Sequence, residues 1–192
     1  MELLEQAILK KGKVLNSEVL KVGSFLNNQI DIKLLSAMSD SVLAHFNGKK
    51  VTKVLTVEAS GIAMACFVAE RFNCNAVFAK KSKTTNVDGE LYSADCYSFT
   101  HKTLNKLIVP KEYLSEDDIV LIVDDFLAKG EAVNALISIT LQAGATLAGV
   151  SVAIEKGFQG GGDALRSKGI DLYSLAVIDK MDENGIIFRS EN

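Results

Sequence analysis

Apolar residues along the chain follow two rhythms. Runs of strand length, rich in Val, Ile and Leu, occur at residues 53–57, 76–79, 119–123, 147–154 and 172–177. They are mostly continuous rather than alternating, the pattern of strands covered on both faces. Between them the spacing becomes that of a helix. Ile62, Ala65, Cys66 and Ala69 recur at i, i+3, i+4 and i+7 behind Ser60-Gly61, and Val133, Leu136, Ile137 and Leu141 do the same behind Gly130. Gly144 stands where the second helix should stop. Strands alternating with helices predict an α/β fold with a mainly parallel central sheet flanked by helices.

Two stretches depart from that rhythm. The first fifty residues read as mainly helical, at 3–10 and again at 31–46, where Leu34, Leu35, Met38 and Val42 share a face; residues 14–29 read as irregular. Residues 80–106 are polar and partly alternating, with Tyr92, Ala94 and Cys96 set against Ser93, Asp95 and Tyr97. That pattern predicts a β-ribbon reached through Asp88-Gly89. A long polar excursion from a compact domain reads as a lid. No repeat, low-complexity tract or proline-rich linker divides the 192 residues, and Pro110 is the only proline. One domain over 1–192 is expected, with 1–50 as a mainly helical N-terminal region and 80–106 as the excursion.

Composition narrows the classes of function. At 48% hydrophobic and 23% charged, the chain can bury a sizeable core. A net charge of −3 argues against a positive surface for nucleic acid. No apolar run approaches the ~18 residues of a membrane span. The acidic opening residues 1–5 lack the basic flank of a signal peptide. Cys66, Cys74 and Cys96 form no C-x-x-C pair, and His45 and His101 are the only histidines, which disfavours a structural zinc site. Scattered cysteines fit buried thiols in a reducing cytoplasm. His45 reads as a cation near a helix end and His101 as a ribbon-turn residue. Tyr92, Tyr97 and Phe99 read as lid packing.

The chemistry concentrates in Val120-Leu-Ile-Val-Asp-Asp-Phe-Leu-Ala-Lys-Gly-Glu-Ala132. A buried strand ends in two adjacent acids, Asp124 and Asp125. A loop with the small residues Ala128 and Gly130 follows, and then a helix. Ligands of open α/β sheets bind at the carboxyl ends of strands. Free N–H groups of such a loop and first helical turn accept an anion, and small residues let the backbone come close. Acids on a sugar and a loop on its phosphate would hold a ribose 5-phosphate. A similar strand–loop–helix step occurs at Val57-Glu58-Ala59-Ser60-Gly61, where Ser60 reads equally well as a plain N-cap. Taken alone, Lys80-Lys81-Ser82-Lys83 is a solvated basic run, Lys156 a surface charge beside a solvated Glu155, Leu20 a core residue and Asn27 a loop-turn residue.

The thirteen-residue stretch resembles the 5-phosphoribosyl-1-pyrophosphate (PRPP) motif of the type I phosphoribosyltransferases: strand, acidic pair, Ala-x-Gly loop, helix. The resemblance extends over nearly the whole chain and is closest to the xanthine-using members. It implies the type I phosphoribosyltransferase fold, with an N-terminal hood over the base and a flexible β-ribbon lid. The reaction implied joins xanthine to PRPP, giving xanthosine 5′-monophosphate and pyrophosphate for purine salvage. By the same resemblance Asp124 and Asp125 hold the ribose hydroxyls, and one is a candidate proton acceptor. Ala128, Lys129, Gly130, Glu131 and Ala132 wrap the 5′-phosphate. Glu58, Ala59, Ser60 and Gly61 bind pyrophosphate through the backbone, and Lys81 of the lid stabilises it as it leaves. Leu20, Asn27, Lys156 and Phe158 meet the base, Lys156 by donating to a carbonyl oxygen and Phe158 by stacking or walling. Mg²⁺ is expected on PRPP's own oxygens and waters, with no protein metal site. Homodimers are usual among such enzymes.

The chain departs from the pattern at Lys129, where Thr is usual, and at Ala132, where Thr or Ser is usual. Backbone N–H groups must then do more of the phosphate binding. Glu131 is expected to face solvent in the first turn, favoured by the helix dipole. Transfer to hypoxanthine, guanine, adenine or orotate is an alternative reading, as is a PRPP-sensing repressor on the same fold. Such repressors add a DNA-binding helical domain, whereas only about fifty residues, not basic, precede the first sheet strand here.

Overall fold

The computed structural model describes residues 1–81, 89–98 and 103–190. Helix α1 (Glu2–Lys11) opens with acids and closes with lysines, the order that complements the helix dipole. Residues read as irregular carry short elements instead. An antiparallel pair, β1 (Lys13–Val14) and β2 (Leu20–Lys21), precedes a π-helical turn at Gly23–Asn27. Elements of two to five residues are too short to leave a period in the sequence. Helix α2 (Ile32–His45) is capped by Asp31, whose carboxylate accepts the Leu34 N–H at 3.2 Å.

The βα core then begins with β3 (Lys53–Val57), α3 (Gly61–Arg71) and β4 (Asn75–Ala79). The excursion is an antiparallel ribbon, β5 (Leu91–Ser98) with β6 (Thr103–Pro110), joined to β4 by a bridge between Lys80 and Ile108. After it come β7 (Ile119–Leu127), α4 (Glu131–Gln142), β8 (Thr146–Lys156), α5 (Gly161–Ser167), β9 (Leu172–Asp182) and β10 (Gly185–Phe188). Two of these were not expected. α5 opens on Gly161-Gly162, poor helix formers, and β10 has only four residues. Ser82 and Lys83 of the basic run, Asp88, Phe99 and His101 lie outside the described residues.

The strands order β10-β9-β8-β7-β3-β4, every pair parallel except β10 with β9. The chain runs from β3 outward to β4 and then returns across β3 to β7, so the winding reverses between β3 and β7. Loops leaving the carboxyl ends of those two strands diverge, and a crevice opens there. The β3–β7 ladder covers only Lys53↔Val120 to Leu55↔Ile122 and stops before both carboxyl ends.

One face of the sheet packs against α1, α2 and α3 through Leu4, Ile8, Leu35, Met38 and Phe46; the other packs against α4 and the ribbon through Leu136, Ile139, Leu107 and Val109. The helical stripes differ from expectation at their edges. In α3 the buried face runs through Met64, Ala65, Val68 and Ala69, which leaves Cys66 exposed; in α4, Leu141 is exposed. Cys74 and Cys96 are half-buried, so none of the three thiols is fully buried as expected. Cys66 is exposed because it falls off the buried face of α3. His45 pairs with Asp171 at 2.9 Å and stacks on Tyr173. Among the described residues no helix is long and apolar enough to cross a membrane.

Candidate active site

Strand β7 does not end before the acids. Its ladder with β8 continues to Leu127↔Glu155, so Asp124 and Asp125 stand inside the strand and both are buried. The alternation of core-facing residues reverses across them. Val120 and Ile122 join one core and Leu121 and Val123 the other, yet Phe126 lies with the second group and Leu127 with the first. The Asp125 N–H donates to Asp124 Oδ1 at 3.0 Å. Burial pushes the Asp124 carboxyl well above the usual aspartate range, the Asp125 carboxyl adds to the rise, and the Lys81 ammonium opposes it.

Across the crevice, α3 starts tightly against this acid. A Cβ on Gly61 would lie 2.2 Å from Thr56 Oγ1 and 3.1 Å from Asp124 Oδ1. The Thr56 hydroxyl is buried and has no hydrogen-bond partner among the described residues. Glu58 Oε1 accepts the Lys81 N–H at 2.8 Å, which holds the loop after β3 to the chain leaving β4. The Glu58–Ala59 peptide is cis. Ser60 occupies the N-cap position of α3 but its hydroxyl makes no capping bond. Its plain capping reading is therefore not met.

Helix α4 starts in the same way. Gly130 is buried at its N-cap with φ +88°, a conformation in which a Cβ is strained. The Asn134 side chain donates to the Gly130 carbonyl at 2.8 Å, and no side chain caps the amides of the first turn. Two helices thus begin at the crevice with first-turn N–H groups that can serve an anion. Lys129 is exposed, and Ala128, Glu131 and Ala132 are half-buried. Glu131 is thus less open to solvent than expected. It lies near enough to Cys96 to add, after burial, to the raised pKa of that thiol.

On the other side of the acids, Lys156 ends β8. Its Nζ donates to the Glu18 carbonyl at 2.6 Å and lies 5.4 Å from the centre of the Phe126 ring. Burial lowers its pKa, and Glu18 and Asp125 pull the other way. It is half-buried and engaged, not a free surface charge. This bond brings the N-terminal segment with Leu20 to the end of β8. Leu20 itself is 7% exposed and packs in the core. Asn27 ends the π-helical turn, and its Oδ1 is buried without a partner. Phe158 is 40% exposed on the short turn Gly157–Gln159. Among the described residues no hydrogen bond ties Asn27 or Phe158 to the other candidates.

Glu155 corrects a further expectation. It is fully buried, not solvated, and accepts hydrogen bonds from both terminal guanidinium nitrogens of Arg166 and from the Ser174 hydroxyl. Burial raises its pKa, but these bonds outweigh that and leave it lowered. The run Gly160–Gly162, which leads into this contact, is the sequence signal that could have found it.

The Phosphoribosyl transferase domain model matches residues 21–166. The chain belongs to the phosphoribosyltransferase family. Its fold is the type I phosphoribosyltransferase fold. It is 50% identical over 193 residues to the xanthine phosphoribosyltransferase of Bifidobacterium adolescentis, covering 99% of this chain and 100% of that one. It is 46% identical to the xanthine phosphoribosyltransferase of Ruminiclostridium cellulolyticum, covering 98% and 99%. Among solved structures, the APRTase of Giardia lamblia complexed with 9-deazaadenine superposes with a TM-score of 0.76. That match covers 91% of this chain and 96% of the other at 21% identity, which speaks to fold. Phosphoribosyltransferases generally use Mg²⁺ with PRPP. Among the described residues no three or more His, Cys, Asp or Glu side chains gather as a metal site. The carboxylates at the crevice, Asp124 and Asp125, are hard oxygen donors of the kind Mg²⁺ takes alongside substrate phosphates.

Proposed function

We propose that this phosphoribosyltransferase transfers the 5-phosphoribosyl group of PRPP to xanthine, giving xanthosine 5′-monophosphate and pyrophosphate in purine salvage. The observation that carries the reading is identity near one half, over the full chain, to enzymes named for that substrate. The crevice supports it. Asp124 and Asp125 lie between the start of α3, which approaches Asp124 at Gly61, and the start of α4, and neither start is capped by a side chain.

In the reaction a ring nitrogen of xanthine bonds to the anomeric carbon, the proton on that nitrogen passes to one carboxylate of the Asp124–Asp125 pair, and the bond from that carbon to pyrophosphate breaks with its electron pair leaving on the pyrophosphate. The carbon passes through an oxocarbenium-like state, as in glycoside chemistry. Asp124 and Asp125 hold the ribose hydroxyls, and their negative charge faces the cationic centre. Ala128–Ala132 fixes the 5′-phosphate with main-chain N–H groups, so the anomeric carbon is aligned with the base. The Ala59, Ser60 and Gly61 amides and the Lys81 ammonium take the charge developing on pyrophosphate, whereas the Glu58 N–H is already donated to the Ala79 carbonyl at 3.0 Å. PRPP's own oxygens and waters would hold Mg²⁺, which when bound would neutralise charge on the leaving group. Lys156 donates to a base carbonyl oxygen. Having only donors, it suits an oxopurine better than the amino group of adenine. Asn27 Oδ1, buried and unpartnered, suits a ring N–H. Leu20 gives apolar contact and Phe158 walls the pocket. The N-terminal region acts as a hood and the ribbon as a lid that excludes water, within one domain. The unpaired cysteines support a cytoplasmic location, and we infer a homodimer.

The test is a pyrophosphate-release assay with xanthine, hypoxanthine, guanine, adenine and orotate in competition. Xanthine should have the highest kcat/KM. Preference for another base would reject the substrate assignment, and specific operator binding without turnover would favour a repressor instead.

A further inference from the structure

Glu155 is fully buried, next to the proposed base-binding lysine, yet it faces away from the crevice into α5. A buried carboxylate is stable only when its oxygens are bonded. Arg166 of α5 supplies a two-pronged grip, 2.9 Å to Oε1 and 2.7 Å to Oε2, and the Ser174 hydroxyl donates to Oε2. This fork fixes α5 to β8 at close range. A Cβ on Gly162 would fall 1.9 Å from Glu155 Oε1.

The same helix touches the loop that follows the acids. The Gly161 N–H donates to the Ala128 carbonyl at 3.1 Å. A Cβ on Gly161 would lie 2.3 Å from that oxygen and 2.9 Å from the Gly130 nitrogen. Beyond the far end of α5, Lys168 Nζ donates to Asn134 Oδ1 at 3.2 Å, and Asn134 in turn holds the Gly130 carbonyl. α5 therefore backs the loop at its start through Gly161 and at its end through Lys168. Lys156 does not need this support, since the β8–β9 ladder holds it opposite Ile178.

We propose that Glu155 and Arg166 are positioning residues for the 5′-phosphate, acting through α5 on the Ala128–Gly130 loop. This rests on reading Ala128–Ala132 as the phosphate loop. The chain lacks two hydroxyl side chains usual in that loop, at Lys129 and Ala132, so the main-chain amides must be placed well, and α5 places them.

The experiment measures kcat and both KM values for the full chain carrying Arg166→Met, Arg166→Lys, Gly161→Ala or Gly130→Ala. Displacing the loop should raise KM for PRPP about tenfold or more in Arg166→Met and Gly161→Ala. KM for xanthine should stay within about twofold. Arg166→Lys should fall between wild type and Arg166→Met, because an ammonium keeps the charge but not the fork. Should Arg166→Met fail to fold, Arg166→Lys still decides the role of the fork and Gly161→Ala the contact of α5 with the loop. Ala is the better helix former, so a purely structural role for Gly161 would not raise KM for PRPP selectively in a folded protein. An unchanged KM for PRPP in folded Gly161→Ala, or an equal rise in both KM values, overturns the proposal. If Gly161→Ala fails to raise it while Gly130→Ala does, only the brace is lost. If Gly130→Ala also leaves it unchanged, the phosphate-loop reading falls and the brace with it.

Discussion

The two ends of the crevice are built differently. The proposed phosphate end is contiguous: acids, loop and helix start occupy Asp124 to Ala132, within one strand–turn–helix step. The proposed base end is assembled across the chain. Lys156 reaches Glu18, 138 residues away, and Leu20 and Asn27 come from elements of two and five residues. A contiguous site takes its layout from local backbone physics and needs tertiary contacts only to brace it. An assembled site depends on packing, and its chemistry can vary without disturbing the scaffold.

That contrast can be broken experimentally. The largest effect is expected from Asp124→Asn with Asp125→Asn, which should lower kcat/KM by about 10²-fold or more while circular dichroism stays native. Near-normal turnover would remove the sugar-binding role. Next, Lys156→Ala should raise KM for xanthine by about 10- to 100-fold, the cost of a charged hydrogen bond, with KM for PRPP little changed. Gly130→Ala should do the opposite. Forcing a Cβ into a left-handed conformation costs about 1–2 kcal/mol, so KM for PRPP should rise roughly tenfold. If either variant shifts both KM values equally, the two ends are not separable.

The smallest effect concerns stability. The Asp124 carboxyl is held above its ordinary value by burial and by Asp125. A raised carboxyl favours the native state while it is protonated. That advantage is lost as pH rises from the unfolded value through the folded one. At neutral pH Asp124→Asn should therefore melt higher than wild type, by about 2–4 °C for each ~1 kcal/mol relieved, even as turnover falls. The gain should shrink in acid, where the native carboxyl is already neutral. A gain that is independent of pH would contradict the burial argument.

Much of the scaffold was readable because its signals are local. Continuous Val, Ile and Leu runs gave five sheet strands, and the helical stripes of α2, α3 and α4 sat where the period put them. The errors lie where tertiary contact decides. Cys66 and Leu141 fit a helical period but fall outside the faces their neighbours cover. Glu155 looked solvated because nothing near it in sequence offers the partner that Arg166 and Ser174 supply from 11 and 19 residues away. Short β1, β2 and β10 carry no period at all.

The amino-acid order alone determined the kind of sheet, the acidic pair and the glycine whose left-handed backbone lets α4 start. Backbone sterics and hydrophobic spacing act over a few residues and need no partner. Only the folded chain decided that β3 and β7 part at their carboxyl ends, that β7 runs on past the acids, and that α5 stands behind the loop. Those facts depend on which strands lie side by side and which charges find each other after collapse, and neither is encoded in any short stretch of sequence.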